Sequence, residues 1–166
     1  METEADIVGA RSEALAGQFE KAVADLVKAV EGCSDTQWRA VCGDEKWTVA
    51  ATAHHVGAQW PLEMEYITAA AEGRTMPAYS WDDINAKNEA HAKANAAASK
   101  ADTAKILREG SPSVAAYVRA LSDAQLDRTG ALPLAGGAAV STEQLITGGV
   151  LIEHATAHLA SIRAAG

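Results

Sequence analysis

Residues 151–159 read Leu-Ile-Glu-His-Ala-Thr-Ala-His-Leu and place two histidines, His154 and His158, four positions apart. The segment has the pattern of a helix, in which residues four apart lie one turn from each other, roughly 6 Å along the axis. Advancing about 100° per residue from Leu151 puts both imidazoles, together with Ala155 and Ile162, within about 60° of it. We therefore expect a helix whose two imidazoles face the interior of the protein.

Two histidines one turn apart can supply two nitrogens to one metal ion, because both rings can converge on a point beside the helix. The alternative is a pair of core histidines with hydrogen-bond partners, since an uncharged ring buried without a partner costs about 1–3 kcal/mol. A third ligand elsewhere in the chain would favour the metal interpretation.

Length and composition bound the class of protein. We predict a single domain over residues 1–166, rich in alanine and with only four prolines, a composition that suits helices. A net charge of −8 without a basic patch argues against a nucleic-acid partner. We find no uninterrupted apolar run of about 18 residues and expect no membrane span. The acidic residues 1–6 are unlike a signal peptide.

The two cysteines, Cys33 and Cys42, form no CxxC motif and no disulfide framework. We expect reduced thiols in a cytoplasmic protein, with a disulfide between them as the alternative.

Apolar periodicity predicts helices over residues 6–31, 47–71 and 82–98, then over about 99–121, and from 141 or 142 onward. The 99–121 segment is either one kinked helix or two helices end to end, because Gly110 and Pro112 interrupt it. We expect Ser34, Thr48, Ser80 and Ser141 to cap helices. Residues 33–46 and 122–140 are predicted connectors, and no strand is predicted. The fold class is therefore all-α, a four-helix bundle, in which metal sites are built from facing helices.

The remaining histidines are His54, His55 and His91. His54 and His55 are neighbours in the second helix and cannot face the same way, since they differ by about 100°. Measured from Val49, they lie near +140° and −120°, and both are off the apolar stripe. Periodicity alone does not choose between them.

A resemblance does. The run from Trp47 to Val56, Trp-Thr-Val-Ala-Ala-Thr-Ala-His-His-Val, looks like the second-helix signature of the DinB-like (DinB/YfiT-type) metalloproteins, in which a histidine follows the tryptophan by eight positions. That histidine is His55. The pattern His154-x3-His158-x3-Ile162 is similar to the C-terminal HxxxHxxxI motif of the same family, and the likeness extends over the whole chain.

The resemblance implies an up-down-down-up bundle in which His55, His154 and His158 bind one divalent metal ion, zinc or nickel, and it implies a homodimer. The family includes thiol S-transferases and mycothiol-dependent maleylpyruvate isomerases. Two positions depart from the commoner forms, Ala51 and Ala157, and neither is a ligand.

Three imidazoles leave a coordination position open, whereas a closed structural site normally uses four protein ligands. That position suits water or the thiolate of a low-molecular-weight thiol. The leading hypothesis is a metal-dependent thiol transferase or isomerase acting on a small molecule. The alternatives are a non-catalytic metal-binding, stress-associated dimer and a metal-dependent hydrolase.

Other side chains are weaker candidates. His91 is a fourth ligand, a proton shuttle or a surface residue, and Asn85 binds substrate or lies on the surface. Glu63 and Glu65 are predicted to be solvated. Three tryptophans are predicted to be in the core, with pocket lining as the alternative: Trp47, Trp60 and Trp81.

Overall fold

The computed structural model describes residues 9–166, so Ile7 and the acidic residues 1–6 lie outside it. Within residues 9–166, eight α-helices and two strands follow in chain order. They are α1 (Ala10–Gly32), α2 (Asp35–Arg39), α3 (Val49–Ala71), α4 (Trp81–Ala94), α5 (Lys100–Arg119), α6 (Asp123–Asp127), β1 (Thr129–Leu132), β2 (Ala138–Ser141), α7 (Thr142–Thr147) and α8 (Ile152–Ala164).

Four helices form the bundle: α1, α3, α5 and α8. Helix α1 packs against α5 and α8, and α3 packs against the same two helices, so α1 and α3 are diagonal to each other. Helix α4 lies on α3 outside this ring. The predicted all-α, four-helix bundle of the up-down-down-up type is confirmed.

The predicted N-caps are present. Ser34, Thr48, Ser80 and Ser141 each accept the backbone N–H of the residue three positions later. Each such bond satisfies an N–H group that the first turn of a helix leaves free, worth about 1 kcal/mol. The caps fix where α2, α3, α4 and α7 begin.

The contact between α3 and α5 is close because glycine lies at it on both sides. A Cβ atom on Gly57 would stand 2.8 Å from Ile106 Cγ2, and one on Gly110 would stand 2.9 Å from the Trp60 ring. Trp60 in turn meets Phe19 of α1 edge to face, with ring centroids 5.6 Å apart. Helix α5 runs unbroken through Pro112, so the alternative of two helices is wrong.

The prediction that residues 122–140 are connector without strand is wrong. Strands β1 and β2 form an antiparallel hairpin in the register Thr129 with Ser141 through Leu132 with Ala138. A 3₁₀ turn and two glycines in left-handed backbone, Gly136 and Gly137, join them. The strands escaped prediction because each is only four residues long and half of its residues are Gly or Ala, which are depleted in strands.

The final helix is broken. Helix α7 ends at Thr147, and residues 148–151 form a turn before α8 begins at Ile152. By length and composition alone, the segment Thr142–Ala164 could cross a membrane, with a mean hydropathy of 1.2, so the absence of a membrane span stays a prediction. The turn nevertheless interrupts its helical hydrogen bonding, and in lipid such freed backbone groups are costly.

Candidate metal centre

The structure brings His55, His154 and His158 together. One ring nitrogen from each lies within 4.8 Å of the other two. The Nε2 atom of His154 is 3.1 Å from Nε2 of His55 and 2.9 Å from Nε2 of His158. Helix α3 supplies the first histidine and α8 supplies the other two, so the packing of α3 against α8 assembles the group.

The position of the pair on α8 follows from its apolar face. Ala155, Leu159 and Ile162 are buried against the bundle, and the two histidines lie at the edge of that face. Their side chains keep 18% and 13% of their surface exposed. Both imidazoles therefore point inward but line a pocket, whereas His55 is almost fully buried.

A carboxylate stands behind each of the two α8 imidazoles. His158 Nδ1 is hydrogen-bonded to Glu45 Oε1 at 2.8 Å. Glu63 Oε1 lies 2.5 Å from His154 Nδ1, although the two groups lack the alignment of a formal hydrogen bond. Carboxylates in this position orient metal-binding imidazoles and increase their basicity. The prediction that Glu63 is solvated is wrong, because this side chain is buried against His154.

The donor set fits a divalent cation. With the Nδ1–H of His158 donated to Glu45, its Nε2 presents a lone pair toward the Nε2 of His154. Lone pairs 2.9 Å apart repel each other unless a proton or a cation shares them. A divalent cation would share these lone pairs, and imidazole nitrogens are ligands for divalent transition metals.

Burial keeps the three imidazoles neutral, which is the form that can bind a metal ion. Burial first, and the neighbouring histidines second, lower the pKa of His55 to about 2. Burial lowers the pKa of His154 to about 4. It also lowers the pKa of His158, against an opposing effect of Glu45. Burial raises the pKa of Glu63 well above its ordinary value.

The turn before α3 places two residues at the centre, Glu45 and Trp47. Lys46 between them has a φ of 63°, the left-handed region that non-glycine residues rarely adopt. Hydrogen bonds from Cys42 N to Trp47 O and from Lys46 N to Cys42 O close the turn. The Trp47 ring then meets His55 edge to face at 5.1 Å and stacks near His158 at 6.3 Å.

A pocket of about 500 Å³ opens beside the three histidines. Helices α3 and α4, the hairpin and the α7–α8 segment form its walls, and both Trp47 and Trp81 line it. Its size falls in the range of roughly 300–1,000 Å³ that is typical of small-molecule sites. The three-histidine group therefore borders a space large enough for a substrate.

The other candidates lie outside the three-histidine group. His54 and His91 pair with each other, with Nδ1 of His54 2.8 Å from Nε2 of His91, and neither contributes to the three-histidine group. Asn85 is exposed, whereas Asn88, one turn later, lines the pocket. Trp60 is in the core as predicted.

Sequence reasoning missed the role of both carboxylates. Glu63 lies two turns after His55 on α3, and Glu45 lies two residues before the tryptophan of the family signature. These spacings could have suggested them, but their histidine partners are about a hundred residues away. Within the part of the chain that the structure describes, both cysteines are free and buried, as we expected.

Comparison with known proteins agrees with this architecture. A model of the DinB superfamily matches residues 18–162. YfiT from Bacillus subtilis, described as a probable metal-dependent hydrolase with an unusual four-helix bundle topology, is 24% identical, with a TM-score of 0.72 over 92% of this chain and 84% of its own. An uncharacterized protein from Clostridium difficile 630 is 14% identical, with a TM-score of 0.66 over 92% of this chain and 94% of its own.

A mycothiol-dependent maleylpyruvate isomerase is 13% identical, with a TM-score of 0.65 over 100% of this chain and 64% of its own. At these identities the likeness concerns the fold. No curated protein sequence matches the chain. Because the family model spans most of the sequence, from the first bundle helix to the last, the chain belongs to the DinB superfamily.

Proposed function

We propose that this protein is a divalent-metal enzyme that activates a small thiol for transfer or isomerisation at the three-histidine centre. The observation that carries the proposal is the opening of three neutral imidazoles onto a pocket of about 500 Å³. A metal that served only as a structural staple would need a fourth protein ligand rather than a neighbouring cavity.

In this proposal each residue has a defined task. The three histidines would hold the ion, while Glu45 and Glu63 would fix the orientation of the two α8 imidazoles from behind. Zinc or nickel bound there would lower the pKa of a coordinated thiol or water. Trp47 contacts His55 edge to face and stacks near His158, so its indole would flank the bound ion on that side.

The first test is metal content. Elemental analysis of the purified protein should find about one divalent ion per chain, and each of His55→Ala, His154→Ala and His158→Ala should lose it. His91→Ala is the matched control, because its ring lies nearby but outside the group. Retention of the ion at unchanged affinity by any of the three variants would overturn the proposed centre.

The second test measures thiol transfer by the metal-loaded protein. The metal-loaded protein is given a neutral thiol and chlorodinitrobenzene; the thiolate sulfur attacks the ring carbon, the C–Cl bond breaks, chloride leaves and the thiol proton passes to solvent. We expect conjugation above the rate of the metal-free protein. No metal-dependent rate with any thiol or electrophile, together with a large fall in melting temperature on chelation, would instead support the non-catalytic metal-binding protein.

Hydrolysis is the second candidate, because the similar protein YfiT is described as a probable metal-dependent hydrolase. Its signature would be metal-dependent cleavage of an activated ester without thiol. A homodimer is proposed for either function, and light scattering would test it.

A further inference from the structure

The walls of the pocket have a chemical character that the histidine centre alone does not explain. Helix α3, α4, the hairpin and the α7–α8 segment each contribute aliphatic side chains. These include Leu62, Ile84, Leu132, Val140, Leu145 and Val150. Such a lining binds by removing apolar surface from water, at roughly 25 cal/mol per Å².

The polar side chains of the lining are largely engaged with the protein. Gln59 donates to Asn88 at 3.1 Å, so these two amides bond each other. The Gln144 side chain accepts the backbone N–H of Ser141 as part of the α7 cap. Glu63 faces His154. The main polar features left for a ligand are therefore the histidine centre and the buried Tyr66 hydroxyl, which has no hydrogen-bond partner among residues 9–166.

No lysine or arginine lines the pocket among residues 9–166. A ligand carboxylate or phosphate that did not reach the centre would lose water without gaining a cationic partner, which is costly. The net charge of −8 adds to this cost. A ligand ammonium group would also lack a free anion along the aliphatic walls.

We infer that the pocket takes an uncharged, largely apolar molecule whose single polar end reaches the three histidines. This inference rests on the proposed function, because it takes the polar end to be a metal-binding group such as a thiol. It names the substrate class: hydrophobic thiols or neutral apolar electrophiles, rather than dicarboxylates, phosphate esters or amines.

Equilibrium binding to Co²⁺-loaded protein tests the inference. The d–d absorption reports cobalt in the centre, and a near-ultraviolet charge-transfer band reports a bound thiolate. We compare benzyl mercaptan, mercaptosuccinate and cysteamine at equal thiolate concentration. Benzyl mercaptan should bind at least about 10-fold more tightly than either charged thiol, equivalent to about 1.4 kcal/mol. Equal or tighter binding of mercaptosuccinate or cysteamine would overturn the inference.

A metal-independent measurement separates this failure from failure of the proposed function. Trp47 and Trp81 line the pocket, so quenching of their fluorescence reports ligands in the metal-free protein. Benzyl alcohol should bind more tightly than benzoate or benzylamine. Absence of cobalt d–d bands would refute the metal centre alone, whereas preference for benzoate or benzylamine would refute the apolar pocket alone.

A pair of variants tests whether the pocket wall causes the preference for apolar over charged ligands. Val140→Arg places a cation on the pocket wall. It should weaken the binding of benzyl mercaptan and strengthen the binding of mercaptosuccinate, each by about 10-fold. Val41→Arg is the control, because Val41 is 58% exposed and does not line the pocket. Equal effects of the two substitutions would contradict the inference.

Discussion

Glu45 Oε1 lies 2.8 Å from Nδ1 of His158, although 113 positions separate the two residues in the chain. The carboxylate comes from the turn before α3 and the imidazole from α8. Trp38 Nε1 and Thr48 Oγ1 bond the carbonyl oxygens of Ala98 and Ala96 and thereby hold the segment that contains this turn. The histidine centre therefore depends on a loop that contributes no ligand to it.

Removal of either carboxylate should weaken metal binding without unfolding the protein. We expect Glu45→Gln and Glu63→Gln each to lower Zn²⁺ affinity by roughly 10–100-fold, the usual effect of losing a partner behind a ligating imidazole. Competition with a chromophoric chelator measures the affinity. Asp44→Asn and Glu65→Asn change exposed neighbours and should have little effect. Wild-type affinity in both glutamine variants would show that the carboxylates do not support the site.

Relief of the backbone strain at Lys46 should stabilise the protein. A left-handed conformation costs a non-glycine residue about 1–2 kcal/mol, and part of this gain is offset by the greater flexibility of glycine in the unfolded chain. Lys46→Gly should therefore raise the free energy of unfolding by about 0.5–1 kcal/mol in urea titration. Lys46→Ala removes the side chain but keeps the strain, so it should stay near wild type. A loss of stability in Lys46→Gly would contradict this account.

The close approach of α3 and α5 should make Gly57 intolerant of a methyl group. The added Cβ would meet Ile106 at 2.8 Å and Leu107 at 3.3 Å, so Gly57→Ala should cost about 1–3 kcal/mol in thermal or urea unfolding. A Cβ atom added to Gly17 of α1 would have nothing within 4 Å of it. Gly17→Ala should therefore raise the free energy of unfolding by about 0.5–1 kcal/mol. If both substitutions stabilised the protein, the packing described for Gly57 would be wrong.

The two thiols should react slowly in the native protein. Burial raises the pKa of both Cys33 and Cys42 above the ordinary thiol value. A raised pKa leaves less thiolate at pH 8, so alkylation by iodoacetamide should lag behind free cysteine and accelerate as the pH rises. Mass spectrometry counts the labelled thiols, and denatured protein should label fully at both. Rapid native labelling at pH 8, or a mass two units low, would contradict buried free thiols.

Local signals were sufficient to predict much of the fold and two of the three candidate ligands, His154 and His158. Side-chain caps at Thr48, Ser80 and Ser141 act on backbone three residues away, so the sequence contains both partners. The i, i+4 spacing of His154 and His158 is equally local. His55 was selected over His54 by resemblance, since helical phase placed both off the apolar stripe.

The features that sequence did not predict depend on distant partners or on weak local preferences. The carboxylates meet their imidazoles only after α3 packs against α8. The hairpin has little intrinsic strand preference, because half of its strand residues are Gly or Ala and each strand is only four residues long. The break at residues 148–151 lies in an apolar run that helical periodicity does not distinguish from continuous helix.

The hairpin over residues 129–141 contributes Leu132, Leu134 and Val140 to the pocket wall but none of the three histidines or their carboxylates. Under the proposed function, substrate recognition and reactivity would therefore reside in separable parts of the chain. Substitutions confined to this hairpin, in evolution or in a directed library, would then change which compounds the pocket binds and leave the three-histidine centre unchanged.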